Sequence, residues 1–183
     1  FVYPLLLSFA YAVTHTVSNA YEWARFVNAV TMCSVVFPVY LLARRVVRPG
    51  YAFATAAFAV AVPSTVYIGT LMTENAFYPI FAWAAYALVL ALENPTLRRQ
   101  LILLALCALA FLTRAQAVAV ILAALTAPLA LAWIERGRPR RLSAWKPLYG
   151  IVVGAGIVAV VVEAARGRSP SQLLGGYAVT TSS

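Results

Sequence analysis

Long, continuous apolar runs separated by short charged loops are the feature of this sequence that most restricts its fold. Because hydrophobic and polar residues do not alternate within these runs, they favour membrane-spanning helices over the strands of a barrel. In hydrocarbon every backbone polar group must be paired, and a helix does this within one segment. The composition agrees, since 63% of the 183 residues are hydrophobic and only 10% are charged. We therefore predict an all-α, polytopic transmembrane helix bundle.

The apolar runs predict six spans, preceded by a short interfacial helix within residues 1–17. The spans are predicted at 24–46, 51–71, 77–93, 101–113, 115–134 and 147–165. The fourth is the shortest, which leaves a tilted or broken span open. We interpret the chain as a single transmembrane domain. Residues 1–20 end an extracytoplasmic loop, 24–165 form the six-helix core, and 166–183 begin another extracytoplasmic loop.

The charges predict how the bundle is oriented. The net charge is +9, from 14 Lys and Arg against 5 acidic residues. The loops after the first, third and fifth spans together carry +8, and the remaining segments carry +1. The positive-inside rule places the first set in the cytoplasm, so both ends of the chain are predicted to be extracytoplasmic. Since the cations lie in short loops between spans, we interpret them as orientation signals and expect no nucleic-acid partner.

Several residues have ordinary structural interpretations. Cys33 and Cys107 lie far apart within apolar runs, and we interpret them as small core residues. Asn19 followed three residues later by Glu22 fits a capping box, which predicts that a helix starts at Asn19. Glu22 and Arg25 are then neighbours on one helix face, where they are expected to form an ion pair.

Two charged residues at the ends of spans are the best candidates for chemistry. Glu74 is the only acidic residue between Glu22 and Glu93, and an unpaired carboxylate in hydrocarbon is costly enough to suggest a function. Arg114 lies between the fourth and fifth spans, at the same predicted depth. A guanidinium binds phosphate bidentately, and a carboxylate holds a cation or a hydroxyl. The alternative is an ion pair between Glu74 and Arg114 that only fixes the bundle.

Four groups of residues, in this order, resemble the membrane core of the GT-C glycosyltransferases. The most similar members are the family 39 protein O-mannosyltransferases and the lipid A aminoarabinose transferase. The resemblance covers about residues 1–135. The segments that carry it are Tyr3-Pro4-Leu5-Leu6-Leu7, Ala24 to Asn28 followed by Val36 to Arg45, Thr70 to Pro79, and Phe111-Leu112-Thr113-Arg114.

The resemblance implies a multi-pass enzyme of the bacterial inner (plasma) membrane. Such an enzyme transfers a sugar, with inversion, from a polyprenyl-phosphate donor to a lipid, glycan or protein acceptor at the outer face. Glu74 would line the active site through a divalent metal ion or the acceptor. Arg114 would face the lipid phosphate and stabilise the leaving group. Arg25 would bind substrate in the same pocket.

The resemblance also leaves a gap. The main catalytic acid of these enzymes, an Asp in the first extracytoplasmic loop, has no counterpart here, because all five acidic residues are glutamates. We therefore expect this chain to be a fragment that is inactive by itself.

Two functions from other classes compete with the enzyme. A transporter or flippase would use Glu74 and Arg114 as gating or coupling charges. It should place its charges near the bilayer midplane and often contains two repeated halves. The sequence shows no internal repeat, and both charges fall at span ends, which favours the enzyme. In the third possibility, an accessory bundle without chemistry, both charges would be dispensable.

Overall fold

The computed structural model describes residues 4–5, 7–8, 12, 16–67, 72–134 and 142–165. Every regular element in this part of the chain is helical, which confirms the all-α class. The helices are α1 (Val17–Cys33), α2 (Val36–Ala43), α3 (Pro49–Tyr67), α4 (Glu74–Glu93), α5 (Leu97–Thr113), α6 (Val118–Ile134) and α7 (Lys146–Ala165), with a 3₁₀ turn at Ala115–Ala117 before α6.

Three helical stretches of the described residues are long and apolar enough to cross a membrane. They are Val17–Ala43, Glu74–Glu93 and Ala115–Ile134. Shorter apolar helices occur at Pro49–Ala61 and Lys146–Val158. The 17 residues of α5 span about 26 Å, a little less than a hydrocarbon core of about 30 Å. These helices make a multi-pass membrane protein, and the count of six spans stays a prediction.

The first predicted span consists of two helices rather than one. The interruption at Ser34 and Val35 follows from Pro38, which has no N–H to donate to the carbonyl of Ser34. Phe37 N donates to that carbonyl instead, at 3.3 Å, and the Ser34 hydroxyl donates to the Thr31 carbonyl at 2.6 Å. These shorter i, i+3 contacts tighten the turn and separate α1 from α2.

The predicted capping box at Asn19 is wrong. The helix begins two residues earlier, and Asn19 lies within its first turn. Thr16 is the N-cap, with an extended backbone and no hydrogen bond from its side chain to the helix. The Thr16 carbonyl accepts from Ala20 N at 3.0 Å, so the backbone already forms a regular first turn before Glu22. The local capping pattern therefore does not set this boundary.

Other boundaries differ by about one turn. Helix α4 begins at Glu74 rather than at residue 77, and α5 begins at Leu97 rather than at residue 101. In α5 the two arginines expected in a loop, Arg98 and Arg99, belong to the first helical turn. The end of the second predicted span, most of the interfacial helix in 1–17, and the segment 166–183 lie outside the described residues.

Helix α4 is the centre of the bundle, and it contacts α1, α2, α5 and α6. Its buried face is formed mainly by alanines, and small residues allow membrane helices to approach closely. Larger side chains from the neighbouring helices fill the space around this face. The main core cluster contains Ala84, Ala87, Ala91, Leu103, Cys107, Ala110, Ala117, Val120, Ala124, Trp145 and Leu148.

Polar contacts join the three predicted cytoplasmic loops at one end of the bundle. Arg45, just after α2, forms an ion pair with Glu93 at the end of α4, and its guanidinium carbon lies 5.5 Å from the centroid of the Tyr86 ring. The fully buried Gln100 amide donates to the carbonyls of Pro95 at 3.0 Å and Ala144 at 2.7 Å. The cation-rich loops therefore lie together, as the alternation of charge requires.

The position of this end in the cytoplasm is a prediction that thiol labelling can check. In a background with Cys33→Ala and Cys107→Ala, we expect a membrane-impermeant maleimide to label Gln116→Cys in intact cells. The variants Arg48→Cys and Asn94→Cys should react only after permeabilisation. All three positions are exposed on the protein, so a lack of labelling reports sidedness. Labelling of Arg48→Cys or Asn94→Cys in intact cells would contradict the predicted orientation.

The Gln100 side chain is also expected to stabilise the bundle. Its amide nitrogen makes the two bonds described above, and its oxygen accepts from Leu148 N at 3.1 Å. Gln100→Leu leaves two carbonyls and one N–H without these partners, at a cost of about 1–3 kcal/mol for each buried group left unsatisfied. We expect a clearly lower melting temperature of the purified protein, measured by intrinsic fluorescence. Gln116→Leu, at an exposed position, is the matched control and should leave it unchanged.

Candidate functional site

Glu74 and Arg114 meet at the end of the bundle opposite the cation-rich loops. Glu74 is the first residue of α4, and Arg114 directly follows α5. Arg114 has an extended backbone, with φ −156° and ψ 133°, and its N–H closes the last turn of α5 on the Ala110 carbonyl at 2.9 Å. Because α4 and α5 pack as an antiparallel hairpin, the Arg114 guanidinium reaches the Glu74 carboxylate and forms an ion pair through Nη1 and Oε1.

Both oxygens of the Glu74 carboxylate have partners. Oε1 contacts Arg114, and Oε2 accepts from the Thr73 hydroxyl at 3.3 Å. The positive end of the α4 dipole also favours a carboxylate at this position. Side-chain exposure is similar for the two members of the pair, 30% for Glu74 and 29% for Arg114. The carboxylate is therefore held in place while both groups stay accessible from the surface.

The guanidinium keeps most of its hydrogen-bonding capacity. Its contact with Glu74 involves one terminal nitrogen, and a guanidinium carries five N–H donors. Within the part of the chain that the structure describes, the Arg114 side chain has no other hydrogen-bond acceptor. The pair can therefore present a planar set of donors to an anionic ligand, with Glu74 fixing the orientation of the guanidinium.

Two buried asparagines lie near the depth of this pair, and the sequence analysis did not single them out as site residues. Asn75 directly follows Glu74, and Asn28 is on α1, which packs against α4; each side chain is 1% exposed. Helix α1 with α2 runs parallel to α4, and Arg45 meets Glu93. The helix rise from Arg45 back to Asn28 and the rise from Glu93 back to Asn75 are both about 26 Å, so the two asparagines lie at a similar depth. The only signal available in the sequence was an asparagine within or beside an apolar run, where an unpaired amide is costly.

The structure does not bring Arg25 to the pair. Its side chain is exposed on α1, and its guanidinium carbon lies 6.0 Å from the centroid of the Tyr21 ring. The expected ion pair with Glu22 is also wrong, because the described residues form only the Arg45–Glu93 and Glu74–Arg114 ion pairs. Glu22 instead lines an open cleft, of about 470 Å³, together with Trp23. The substrate-binding role of Arg25 stays a prediction.

The described residues around Glu74 do not form a divalent-cation site by themselves. Such ions take several oxygen or nitrogen ligands. Among the described residues, no group of three or more His, Cys, Asp or Glu side chains could hold a metal ion. The Arg114 guanidinium beside Glu74 also repels a cation. The metal ion stays a prediction, and we assign no step of a reaction to it.

Comparison with known protein families identifies the class of the molecule. A family model described as dolichyl-phosphate-mannose-protein mannosyltransferase matches residues 2–162. The chain belongs to this family. The match includes Glu74, Arg114 and nearly all of the described helices, and it confirms the resemblance to the protein O-mannosyltransferases. No curated protein and no solved structure matches the chain significantly.

Membership of the mannosyltransferase family has a direct functional consequence. The protein is a membrane glycosyltransferase that uses a lipid-linked sugar donor. The family description places the sugar on a dolichyl phosphate, and a phosphate is an anion that an arginine can bind. Among the described residues, Arg114 is the cation that forms an ion pair at the end opposite the cation-rich loops.

A double-mutant cycle can measure how much the Glu74–Arg114 contact contributes to stability. Because each side chain is about one-third exposed, we expect a coupling free energy of only about 0.2–1 kcal/mol between Glu74→Gln and Arg114→Gln. The free energy of unfolding of the four proteins in detergent provides the measurement. A coupling of several kcal/mol would contradict this expectation and favour a pair that mainly holds the bundle together.

Proposed function

We propose that this protein transfers a sugar from a polyprenyl-phosphate donor to an acceptor at the outer face of the inner (plasma) membrane, with inversion at the anomeric carbon. The observation that supports this most is the Glu74–Arg114 ion pair in a member of the mannosyltransferase family. The pair lies at the end of the bundle that is predicted to be extracytoplasmic. The acceptor is proposed to be a lipid, a glycan or a protein.

Arg114 is proposed to bind the phosphate of the donor. In the reaction the bond between the anomeric carbon and the phosphate oxygen breaks, and the acceptor oxygen bonds to that carbon from the opposite face. Negative charge builds up on the departing phosphate as its bond breaks. A guanidinium already in position stabilises that charge more in the transition state than in the bound donor, which lowers the barrier.

Glu74 is proposed to line the active site beside Arg114. Its contact with the guanidinium orients the donors of Arg114, and its oxygens can accept a hydrogen bond from an acceptor hydroxyl. The proton of that hydroxyl must pass to a general base, which we do not assign to a described residue. Arg25, on the neighbouring helix α1, is proposed to contribute a second cation if the donor brings its phosphate between α1 and α4.

Because this chain is expected to be inactive by itself, a transfer assay with the longer protein that contains it, in native membranes, tests these roles. With a polyprenyl-phosphate sugar as donor, we expect Glu74→Gln and Arg114→Ala to lower the transfer rate by about 10²-fold or more, the size of a lost electrostatic contact in a transition state. Glu93→Gln and Arg45→Ala remove the same residue types from the other ion pair, at the opposite end of the bundle. These control variants should keep wild-type transfer at equal expression.

Other outcomes would contradict the proposal. Normal transfer by folded Glu74→Gln and Arg114→Ala would make the pair structural. The charge-swapped protein carries Glu74→Arg and Arg114→Glu together, which preserves an ion pair but reverses its direction. If this protein recovers activity, the pair is also structural. A wild-type protein that moves lipid-linked sugars across the membrane without transferring them would favour the flippase instead.

A further inference from the structure

Helix α5 carries an open groove on the face that points away from the bundle. Its inward face is formed by buried residues that include Gln100 and Leu103. On the outward face lies a cleft of about 560 Å³. The described residues that line it are Leu97, Arg98, Leu101, Ile102 and Ala105, and we call it the α5 groove. Its walls are thus apolar side chains, with one arginine at the end of the helix.

Arg98 differs from three other arginines at this end. Arg45 pairs with Glu93, Arg44 lies 5.7 Å from the centroid of the Tyr40 ring, and Arg99 donates to the Leu90 carbonyl at 2.7 Å. Arg98 is exposed and, within the described residues, forms no ion pair. A cation in an apolar groove that no described residue neutralises is complementary to an anion with a hydrocarbon tail.

We propose that the α5 groove binds one anionic phospholipid of the bilayer. The phosphate lies at Arg98, and an acyl chain follows Leu101, Ile102 and Ala105. From Leu97 to Ala105 the helix rises about 12 Å, which is most of the thickness of one leaflet of a hydrocarbon core of about 30 Å. A lipid of the same leaflet therefore reaches the groove with its headgroup at the level of the arginine.

This site is separate from the one proposed for sugar transfer. It lies at the end of the bundle that contains the Arg45–Glu93 pair, whereas Glu74 and Arg114 lie at the other end. The charge around it also favours an anionic lipid, because the neighbouring loops carry the excess of cations. By the positive-inside rule this is the cytoplasmic leaflet, where anionic lipids and juxtamembrane cations meet.

Photolabelling with two lipid probes tests the proposal. The purified protein is placed in phosphatidylcholine vesicles that contain a minor fraction of a probe with a diazirine on its acyl chain. One probe has a phosphatidylglycerol headgroup and the other has phosphatidylcholine. Mass spectrometry maps the adducts on α5. We expect about fivefold more labelling by the anionic probe, which corresponds to an attraction of about 1 kcal/mol between one arginine near the membrane surface and anionic lipid.

Matched variants assign the preference to the groove. Arg98→Gln should abolish the preference, so that both probes label the groove about equally, because that one cation is lost. Arg48→Gln, an exposed arginine at the same end that does not line the groove, should retain it. Ala105→Trp fills the groove from an exposed position and should reduce labelling by both probes. Equal labelling of the wild type by both headgroups, or an unchanged preference in Arg98→Gln, overturns the proposal. Stronger labelling by a polyprenyl-phosphate probe also overturns it, because the occupant is then the sugar carrier.

Discussion

Close packing around the alanine face of α4 is the interaction on which the rest of the bundle depends. Lipid tails are as apolar as leucine, so helices in a membrane associate through van der Waals contact and hydrogen bonds. The small side chains of α4 permit that contact on several sides, and α1, α2, α5 and α6 all pack against it. The packing along the middle of α4 therefore also fixes the positions of Glu74 and Glu93 at its two ends.

Polar interactions then act at the ends of the helices. At one end, the Gln100 amide and the Arg45–Glu93 pair hold together segments from three loops. At the other end, Arg114 closes the α4–α5 hairpin on Glu74. These polar contacts lie at the helix ends because placing a polar group in the hydrocarbon core costs more free energy than placing it at the membrane interface. The chemistry proposed on a lipid-linked phosphate also belongs at the interface, where an accessible arginine can meet the phosphate.

Hydropathy and charge were enough to predict the helices, their order and the approach of Glu74 to Arg114. The two charged residues lie close together because α4 and α5 form an antiparallel hairpin, which brings the start of α4 beside the end of α5. The break at Ser34, the start of α1 and the extra turn of α5 were not predictable in the same way. They depend on which of several local hydrogen bonds forms, for example the contact of Phe37 N with the Ser34 carbonyl beside Pro38. The burial of Asn28 and Asn75 depends on neighbouring helices rather than on local pattern.

The two ion pairs contain the same residue types, yet their surroundings imply different roles. Arg45 also contacts the Tyr86 ring and has several arginines nearby, so an anion arriving there meets a diffuse positive field. Arg114 lies at the end where the loops are almost neutral, and Glu74 holds it in one orientation. A phosphate bound there would be recognised by the geometry of one guanidinium rather than by accumulated charge. Orientation matters more than attraction when the bound phosphate must also leave, because it determines which oxygen is stabilised as the bond to the sugar breaks.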